Sequence, residues 1–279
     1  MTGPDGELQA ATRRPEPAIV AGVAEPGQRG GLLPPPALAA GDALFLDFDG
    51  TLVDLAPTPD SIDVNPGLIG LLRQVQQRQQ GALAIISGRE LDSIDRWLAP
   101  LTLPAAGIHG AERRDAAGVT TRAAGDRFAE AAQALAPLVA QHPGLQLEPK
   151  RAALALHYRL APELQPLCLQ AMQALLLRWP GLKLLQGKCV LELLPQGIGK
   201  GEAVRQFMQT PPFAGRRAVF VGDDVTDEAG FEAVLQQGGI AIKVGAGPSV
   251  APYRLDNTLA VRQWLQQALS PSPTHAIPV

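Results

Sequence analysis

The sequence predicts an α/β fold in which a doubly wound parallel sheet carries an inserted α+β domain. Short apolar runs alternate with helical stretches in both halves of the chain, a pattern typical of parallel sheets covered by helices on both faces. Two of these runs lead directly into acidic loops, and open α/β sheets bind ligands at the carboxyl ends of their strands. The middle of the chain lacks this alternation, which indicates a separate insertion.

The first half of the predicted sheet lies in residues 42–116. Apolar runs predict strands over 43–48, 82–87 and 105–109, and amphipathic stretches predict helices over 67–79 and 90–98. The second half lies in residues 198–269 and continues the alternation. Its predicted elements are a helix over 200–208, a strand over 218–222, a helix over 228–236, a strand over 239–244 and a helix over 259–269.

Residues 117–197 are expected to form the inserted domain, an α+β cap. Its predicted helices cover 127–141 and 163–179, and its predicted strands cover 146–148, 153–158, 183–186 and 189–194. The crossings near 115–120 and 195–199 contain Gly or Pro and are expected to act as hinges. Residues 1–41 and 270–279 are rich in proline and are expected to be flexible tails.

Composition narrows the classes of protein that the chain can represent. Its 279 residues are 46% hydrophobic, which is enough for a buried core. The formal net charge of −3 provides no attraction to nucleic acid or to an anionic membrane. The two cysteines, Cys168 and Cys189, make no disulfide framework and indicate a cytoplasmic protein. No apolar run is long enough to span a bilayer, and the N-terminus lacks a signal-peptide pattern.

Carboxylates cluster where two of the predicted strands end. Asp47 and Asp49 follow the first strand and, being two residues apart, point to the same side. Asp223 and Asp227 follow the strand over 218–222. If the two strands are neighbours, these side chains surround one point. A set of oxygen ligands without His or Cys favours Mg²⁺ beside a phosphate. The alternative is a pair of unrelated solvated turns, one of which caps a helix.

Two further segments are suited to phosphate binding. Ser87-Gly88-Arg89 follows the second predicted strand, and its hydroxyl and backbone amides can donate to phosphate oxygens. Lys200 lies at a helix start, where the helix dipole disfavours a cation unless an anion lies between them. Taken alone, either segment is more often an ordinary turn or an exposed lysine.

In this order, these segments resemble the four motifs of the haloacid dehalogenase superfamily of phosphotransferases. The motifs are Asp47-Phe48-Asp49-Gly50-Thr51, Ser87, Lys200 and Gly222-Asp223-Asp224-Val225-Thr226-Asp227. A second set closely resembles the trehalose-6-phosphate phosphatases of that superfamily. It comprises Gly107-Ile108-His109-Gly110-Ala111-Glu112, Glu148-Pro149-Lys150, His157-Tyr158-Arg159 and Gly187-Lys188-Cys189-Val190-Leu191-Glu192. The resemblance covers nearly everything between residues 42 and 269.

The resemblance implies a Rossmann-like core, Mg²⁺ as the cofactor and a role for each matching residue. Asp47 is the implied nucleophile and Asp49 the general acid and base. The implied phosphate-binding groups are Ser87, Gly88 and Lys200, the last of which also takes part in catalysis. The implied metal ligands are Asp47, Asp49 and Asp223, with Asp224 and Asp227 ordering waters or the loop. Sugar recognition is implied for the cap residues Glu148, Lys150, His157, Arg159 and Glu192.

The implied activity is Mg²⁺-dependent hydrolysis of trehalose 6-phosphate through an aspartyl-phosphate, the last step of trehalose biosynthesis. We expect a cytoplasmic monomer that binds this small molecule and has no nucleic-acid or membrane partner. A trehalose-6-phosphate synthase is implied by the pathway, but not as a physical contact. Two alternatives remain open. One is a phosphatase for another sugar phosphate, such as sucrose 6-phosphate or a glycosyl-glycerol phosphate, and the other is a non-catalytic module that binds sugar phosphate.

Overall fold

A computed structural model describes residues 33–56, 61–123 and 127–270 of the chain. Most of the expected tails, 1–41 and 270–279, lies outside these residues. Residues 33–41 differ from the expectation, because they pack against the rest of the chain. Leu38 is buried, and Trp264 Nε1 donates to the Pro36 carbonyl at 2.9 Å. A buried apolar side chain and a satisfied indole hold this segment in place.

The described residues form one sheet of eight strands and one of four. The strands are β1 (Ala43–Leu46), β2 (Leu83–Ile86), β3 (Ala105–Gly107), β4 (Glu112–Arg114), β5 (Thr120–Arg122), β6 (Gln146–Lys150), β7 (Ala153–His157), β8 (Leu182–Gly187), β9 (Val190–Pro195), β10 (Ala218–Gly222), β11 (Ile240–Val244) and β12 (Tyr253–Leu255). The larger sheet has the order β12-β11-β10-β1-β2-β3-β4-β5. All neighbours from β12 to β3 are parallel, as the sequence predicts.

Helices cover both faces of the larger sheet, which confirms the doubly wound fold. The helices are α1 (Pro66–Arg78), α2 (Leu91–Leu98), α3 (Arg127–Gln141), α4 (Gln165–Arg178), α5 (Lys200–Phe207), α6 (Glu228–Leu235) and α7 (Thr258–Leu269). Side chains of α1, α2 and α7 share one core cluster with Leu44 and Leu46 of β1. Those of α5 and α6 share another with Ala43 and Phe45. A strand buried on both faces is apolar throughout, and for this reason β1 is recognisable in the sequence.

No helix among the described residues has both the length and the apolar character needed to cross a membrane.

Strands β4 and β5 change the expected boundary of the cap. The sequence predicts a cap that begins at residue 117, but β5 pairs antiparallel with β4 at the end of the larger sheet. The predicted hinge near 115–120 is the turn of this hairpin. In that turn Asp115 Oδ1 accepts from the backbone amides of Ala117 and Val119, each at 2.9 Å. The crossing from the larger sheet therefore follows β5 and comes later than predicted.

The smaller sheet forms, with α3 and α4, the unit that we call the cap; the remainder is the core. Its strands are antiparallel in the order β6-β7-β9-β8. Because side chains alternate along each strand, the two faces differ. Leu154, Leu156, Leu191 and Leu193 pack in one cluster with side chains of α3 and α4. The register pairs Glu148 with Ala155 and Ala155 with Glu192, so the opposite face carries Glu148, Lys150, His157 and Glu192.

Candidate active site

Three of the predicted motifs meet at one edge of the larger sheet. Asp47, Ser87 and Asp223 come directly after β1, β2 and β10, which are parallel neighbours. The carboxyl ends of such strands lie side by side. Lys200, the first residue of α5, reaches the same place and contacts Asp47. The structure therefore brings together residues that are widely separated in the sequence.

Asp47, Lys200 and Asp227 form a buried group of charges. Lys200 Nζ donates to Asp47 Oδ1 at 2.8 Å and to Asp227 Oδ1 at 2.6 Å. Thr51 Oγ1 donates to the other Asp47 oxygen at 3.1 Å. Burial alone would lower the pKa of Lys200, but the charges of Asp227 and Asp47 outweigh it and hold that pKa well above its ordinary value. The side chain is therefore a fixed ammonium at neutral pH.

The carboxylates beside Lys200 form a cluster suited to a cation. One oxygen each of Asp47, Asp223 and Asp227 lies within 4.8 Å of the other two. Burial, and then the charge of Asp227, raises the pKa of Asp223 to about 6 and holds that of Asp47 well above its ordinary value. These shifts show that Lys200 offsets the crowded negative charge only in part. Hard divalent cations prefer such an all-oxygen set of ligands.

Asp227 also orders the loop that carries Asp223. Its Oδ2 accepts from the backbone amides of Asp223 at 3.1 Å and Asp224 at 2.9 Å. Asp224 Oδ1 in turn accepts from the amide of Val225 at 2.7 Å and caps the turn before α6. Lys243 on β11 donates to the Asp223 carbonyl. Both oxygens of Asp227 are thus engaged by the protein, in keeping with a role in ordering the loop.

Asp49 is paired with Arg89. Arg89 Nε and Nη2 donate to the two carboxylate oxygens of Asp49, each at 2.7 Å, which makes a bidentate ion pair. The Arg89 amide donates to Ser87 Oγ at 3.2 Å. The second carboxylate of the first motif and the predicted phosphate-binding segment are therefore joined through one arginine.

Gly50 is needed for the close approach of two acidic loops. A Cβ at Gly50 would lie 2.7 Å from Asp223 Oδ1 and closer still to the rest of that carboxylate, and φ is +78°. We expect Gly50→Ala to displace Asp223 and to lower the activity that the resemblance implies by more than about a hundredfold, with a loss of about 1–3 kcal/mol in unfolding free energy from backbone strain. Activity assays and urea unfolding measure the two effects.

Gly118→Ala is the matched control for this substitution. Gly118 has φ +85°, but a Cβ there would meet nothing within 4 Å. The control should show a similar strain and unchanged activity. Equal activities for the two variants would contradict the argument that Gly50 makes room for Asp223.

The polar face of the cap sheet contacts the core site directly. Lys150 Nζ donates to Glu192 Oε1 at 2.6 Å and to the Gly88 carbonyl at 2.9 Å. His157 Nε2 lies 2.8 Å from Glu148 Oε2. Burial would raise the pKa of Glu192, but Lys150 and His109 hold it well below its ordinary value. Lys150 and Glu192 therefore form a buried ion pair on the cap face, directly beside the core.

Core and cap enclose a cavity of about 790 Å³. Further hydrogen bonds join them, among them those from Arg159 Nη1 to the Ala56 carbonyl at 2.9 Å and from the Lys188 amide to Asp224 Oδ2 at 3.1 Å. The predicted residues that line the cavity are Asp49, Gly88, Glu148, Lys150, His157, Arg159, Glu192, Lys200, Asp223 and Asp224. Asp47 and Ser87 are not part of this lining, and are only 4% and 1% exposed.

Thr51 and three basic side chains at the site have no role assigned from the sequence. Arg89 pairs with Asp49, His109 contacts Glu192, and Lys243 contacts the Asp223 backbone. The first two lie inside segments that carry the resemblance, Ser-Gly-Arg and Gly-Ile-His-Gly-Ala-Glu. The signal for Lys243 is a charge inside an apolar strand, which is costly to bury unless it finds a partner.

Comparison with known proteins identifies the family. Residues 45–258 match the trehalose-phosphatase family. The chain is 43% identical over 233 residues to the trehalose-6-phosphate phosphatase of Escherichia coli (strain K12), covering 83% of this chain and 88% of that protein. A probable trehalose-phosphate phosphatase of Sinorhizobium fredii is 47% identical over 205 residues, 73% and 77% of the two chains. The crystal structure of a trehalose-6-phosphate phosphatase related protein aligns with a TM-score of 0.69 at 28% identity, over 81% of this chain and 96% of that one. This chain therefore belongs to the trehalose-phosphatase family.

Proposed function

We propose that this chain hydrolyses trehalose 6-phosphate to trehalose and inorganic phosphate. One observation carries the proposal: the polar face of the cap sheet and Lys200, which donates to Asp47, line the same cavity. A disaccharide offers many hydroxyl groups, which fixed carboxylate, ammonium and imidazole groups can bind. Family membership and the named activity of the relatives from Escherichia coli and Sinorhizobium fredii support this substrate.

The proposed chemistry divides hydrolysis into two displacements at phosphorus. An Asp47 oxygen attacks phosphorus, and the sugar oxygen leaves with a proton from Asp49, which produces an aspartyl-phosphate. A water molecule then attacks the same phosphorus, Asp49 takes its proton, and phosphate leaves the regenerated Asp47 carboxylate. Lys200, the Ser87 hydroxyl and the Gly88 amide bind the phosphate oxygens and stabilise charge during both steps.

The residues present fit a divalent cation, for which we propose Mg²⁺. The fit rests on the three carboxylates within 4.8 Å of one another and on the raised pKa values of Asp47 and Asp223. Asp47, Asp223 and the backbone carbonyl of Asp49 would hold the ion, while Asp224 and Asp227 order the loop. When bound, Mg²⁺ neutralises charge between the nucleophile and the phosphate.

Magnesium binding is expected to weaken as the pH falls below about 6. Burial and Asp227 raise the pKa of Asp223 to about 6, so the metal-free site takes up a proton there, and the ion must displace it. The dissociation constant should rise about fivefold from pH 6 to pH 5, approach a tenfold rise per pH unit at lower pH, and level off above 7. Titration calorimetry from pH 5 to 8 measures it, and a flat profile would contradict the assignment of Asp223.

The experiment that tests the function is phosphate release from a panel of substrates, each with Mg²⁺ and with EDTA. The panel contains trehalose 6-phosphate, sucrose 6-phosphate, glucose 6-phosphate and p-nitrophenyl phosphate. A strong preference for trehalose 6-phosphate, lost in EDTA, is the expected result. Similar rates on all four substrates would indicate a general phosphatase and contradict the assignment of trehalose 6-phosphate. No release from any of them would favour a non-catalytic module that binds sugar phosphate.

We propose that the chain works as a cytoplasmic monomer whose substrate comes from a trehalose-6-phosphate synthase. Cys168 and Cys189 are both free thiols, which supports a reducing compartment. The link to the synthase is through the metabolite, without contact. Gel filtration with light scattering tests the oligomeric state, and a dimer at micromolar concentration would refute the monomer.

A further inference from the structure

His109 is a core residue that holds a carboxylate of the cap. It lies between β3 and β4, and its Nε2 is 2.6 Å from Glu192 Oε2 on β9. The two side chains are 4% and 5% exposed. Within the described part of the chain, His109 Nδ1 has no hydrogen-bond partner, so the hydrogen bonding of the ring to the protein is committed to Glu192. A carboxylate can only accept there, and Nε2 is therefore the donor.

The Glu192 carboxylate is held from both sides of the boundary between core and cap. Its other oxygen accepts from Lys150 of the cap at 2.6 Å, and Lys150 also donates to the Gly88 carbonyl of the core at 2.9 Å. We call His109, Glu192, Lys150 and Gly88 the clasp. The clasp begins and ends in the core and passes through two cap side chains, so it is complete only with the cap in this position.

The backbone at His109 is unusual for a residue with a side chain. Ile108 and His109 have φ values of 48° and 56°, in the left-handed region. Such conformations persist where the surrounding structure enforces them, often at functional sites. The ring also lies against the phosphate-binding segment, since a Cβ at Gly88 would be 2.8 Å from His109 Nε2. The ring therefore lies between Gly88 and the cap sheet, in the lining of the cavity.

We propose that His109 is a positioning residue that orients the Glu192 carboxylate to bind hydroxyl groups of the sugar. The proposal rests on the proposed function, because the substrate must extend from the phosphate site to the cap sheet. Glu192 held at both oxygens can still accept a hydrogen bond from a sugar hydroxyl at each. A small phosphate ester that does not reach β9 gains nothing from this arrangement. Affinity for the disaccharide phosphate should depend on His109, and reaction with the small ester should not.

The test compares His109→Gly and His109→Asn on trehalose 6-phosphate and on p-nitrophenyl phosphate. Glycine adopts φ 56° without steric cost, and asparagine tolerates it. A loss of affinity common to both variants is therefore due to removal of the ring and not to backbone strain. We expect KM for trehalose 6-phosphate to rise about tenfold or more, with kcat within about threefold. For p-nitrophenyl phosphate, kcat/KM should stay within about twofold. His142→Asn, outside the cavity lining, is the matched control and should behave as wild type.

A double substitution separates positioning from a general effect on the fold. If His109 acts through Glu192, His109→Gly should add less than about twofold to the KM of Glu192→Ala. The proposal would be overturned if the two substitutions multiplied their effects on KM. It would also be overturned by an unchanged KM in His109→Gly and His109→Asn, or by equal losses on the two substrates. If the wild-type protein shows no preference for trehalose 6-phosphate, the proposed function has failed and the positioning role fails with it.

Discussion

Replacement of Asp47 by asparagine is expected to lower phosphate release from trehalose 6-phosphate by at least about a thousandfold. An amide is a far weaker nucleophile than a carboxylate, and no phosphoryl group can be transferred to it productively. The change is isosteric, and the amide oxygen of the new side chain can still accept from Lys200. Since burial and Asp227 already disfavour the charged form of Asp47 and raise its pKa, removal of this charge should leave the unfolding temperature in EDTA unchanged or higher.

Acid-quenched single turnovers, with mass spectrometry of the protein, provide the measurement. The wild-type protein should carry one phosphoryl group on a peptide that contains Asp47, and the variant none. Asp256→Asn is the matched control, because Asp256 is exposed and outside the cavity lining, and its activity should equal that of the wild type. Near-normal turnover by Asp47→Asn would exclude this residue as the nucleophile.

The parts of the site that sequence could predict are those determined by one strand and the loop after it. Strand β1 is apolar because it is buried on both faces, and Asp47 follows it directly; the same holds for β10 and Asp223. That two such loops meet then follows from the geometry of parallel sheets. The side chains of the cap face are likewise local, since Glu148 and Lys150 are two residues apart on one strand.

The parts that sequence could not predict depend on contacts between distant segments. His109 and Glu192 are 83 residues apart, and Asp49 and Arg89 are 40 apart; no local pattern indicates that either pair forms. The hairpin of β4 and β5 could not be predicted from the sequence for another reason. Its strands, Glu-Arg-Arg and Thr-Thr-Arg, are polar and three residues long, and they lack the alternation by which a strand is recognised.

Lys200→Met is expected to damage both activity and stability, because it leaves a buried cluster of carboxylates without its ammonium. Loss of one partner from a buried ion pair costs about 3–5 kcal/mol in unfolding free energy, and here Asp47 and Asp227 both lose their hydrogen bond from Nζ. Activity should fall by at least about a hundredfold, since the proposed phosphate site also loses its ammonium group. The stability loss should be largest in EDTA.

Magnesium should restore part of that stability, and more of it in the variant than in the wild type. The vacated carboxylates bind a divalent cation more tightly, and binding to the folded state alone adds about 2.7 kcal/mol at a concentration one hundred times the dissociation constant. Urea unfolding with EDTA and with Mg²⁺ measures the difference. Lys183→Met is the control, because burial already lowers the pKa of this half-buried lysine and its loss should be tolerated under both conditions. An equal response of the two variants to Mg²⁺ would contradict the proposal that Lys200 and the cation both neutralise Asp47.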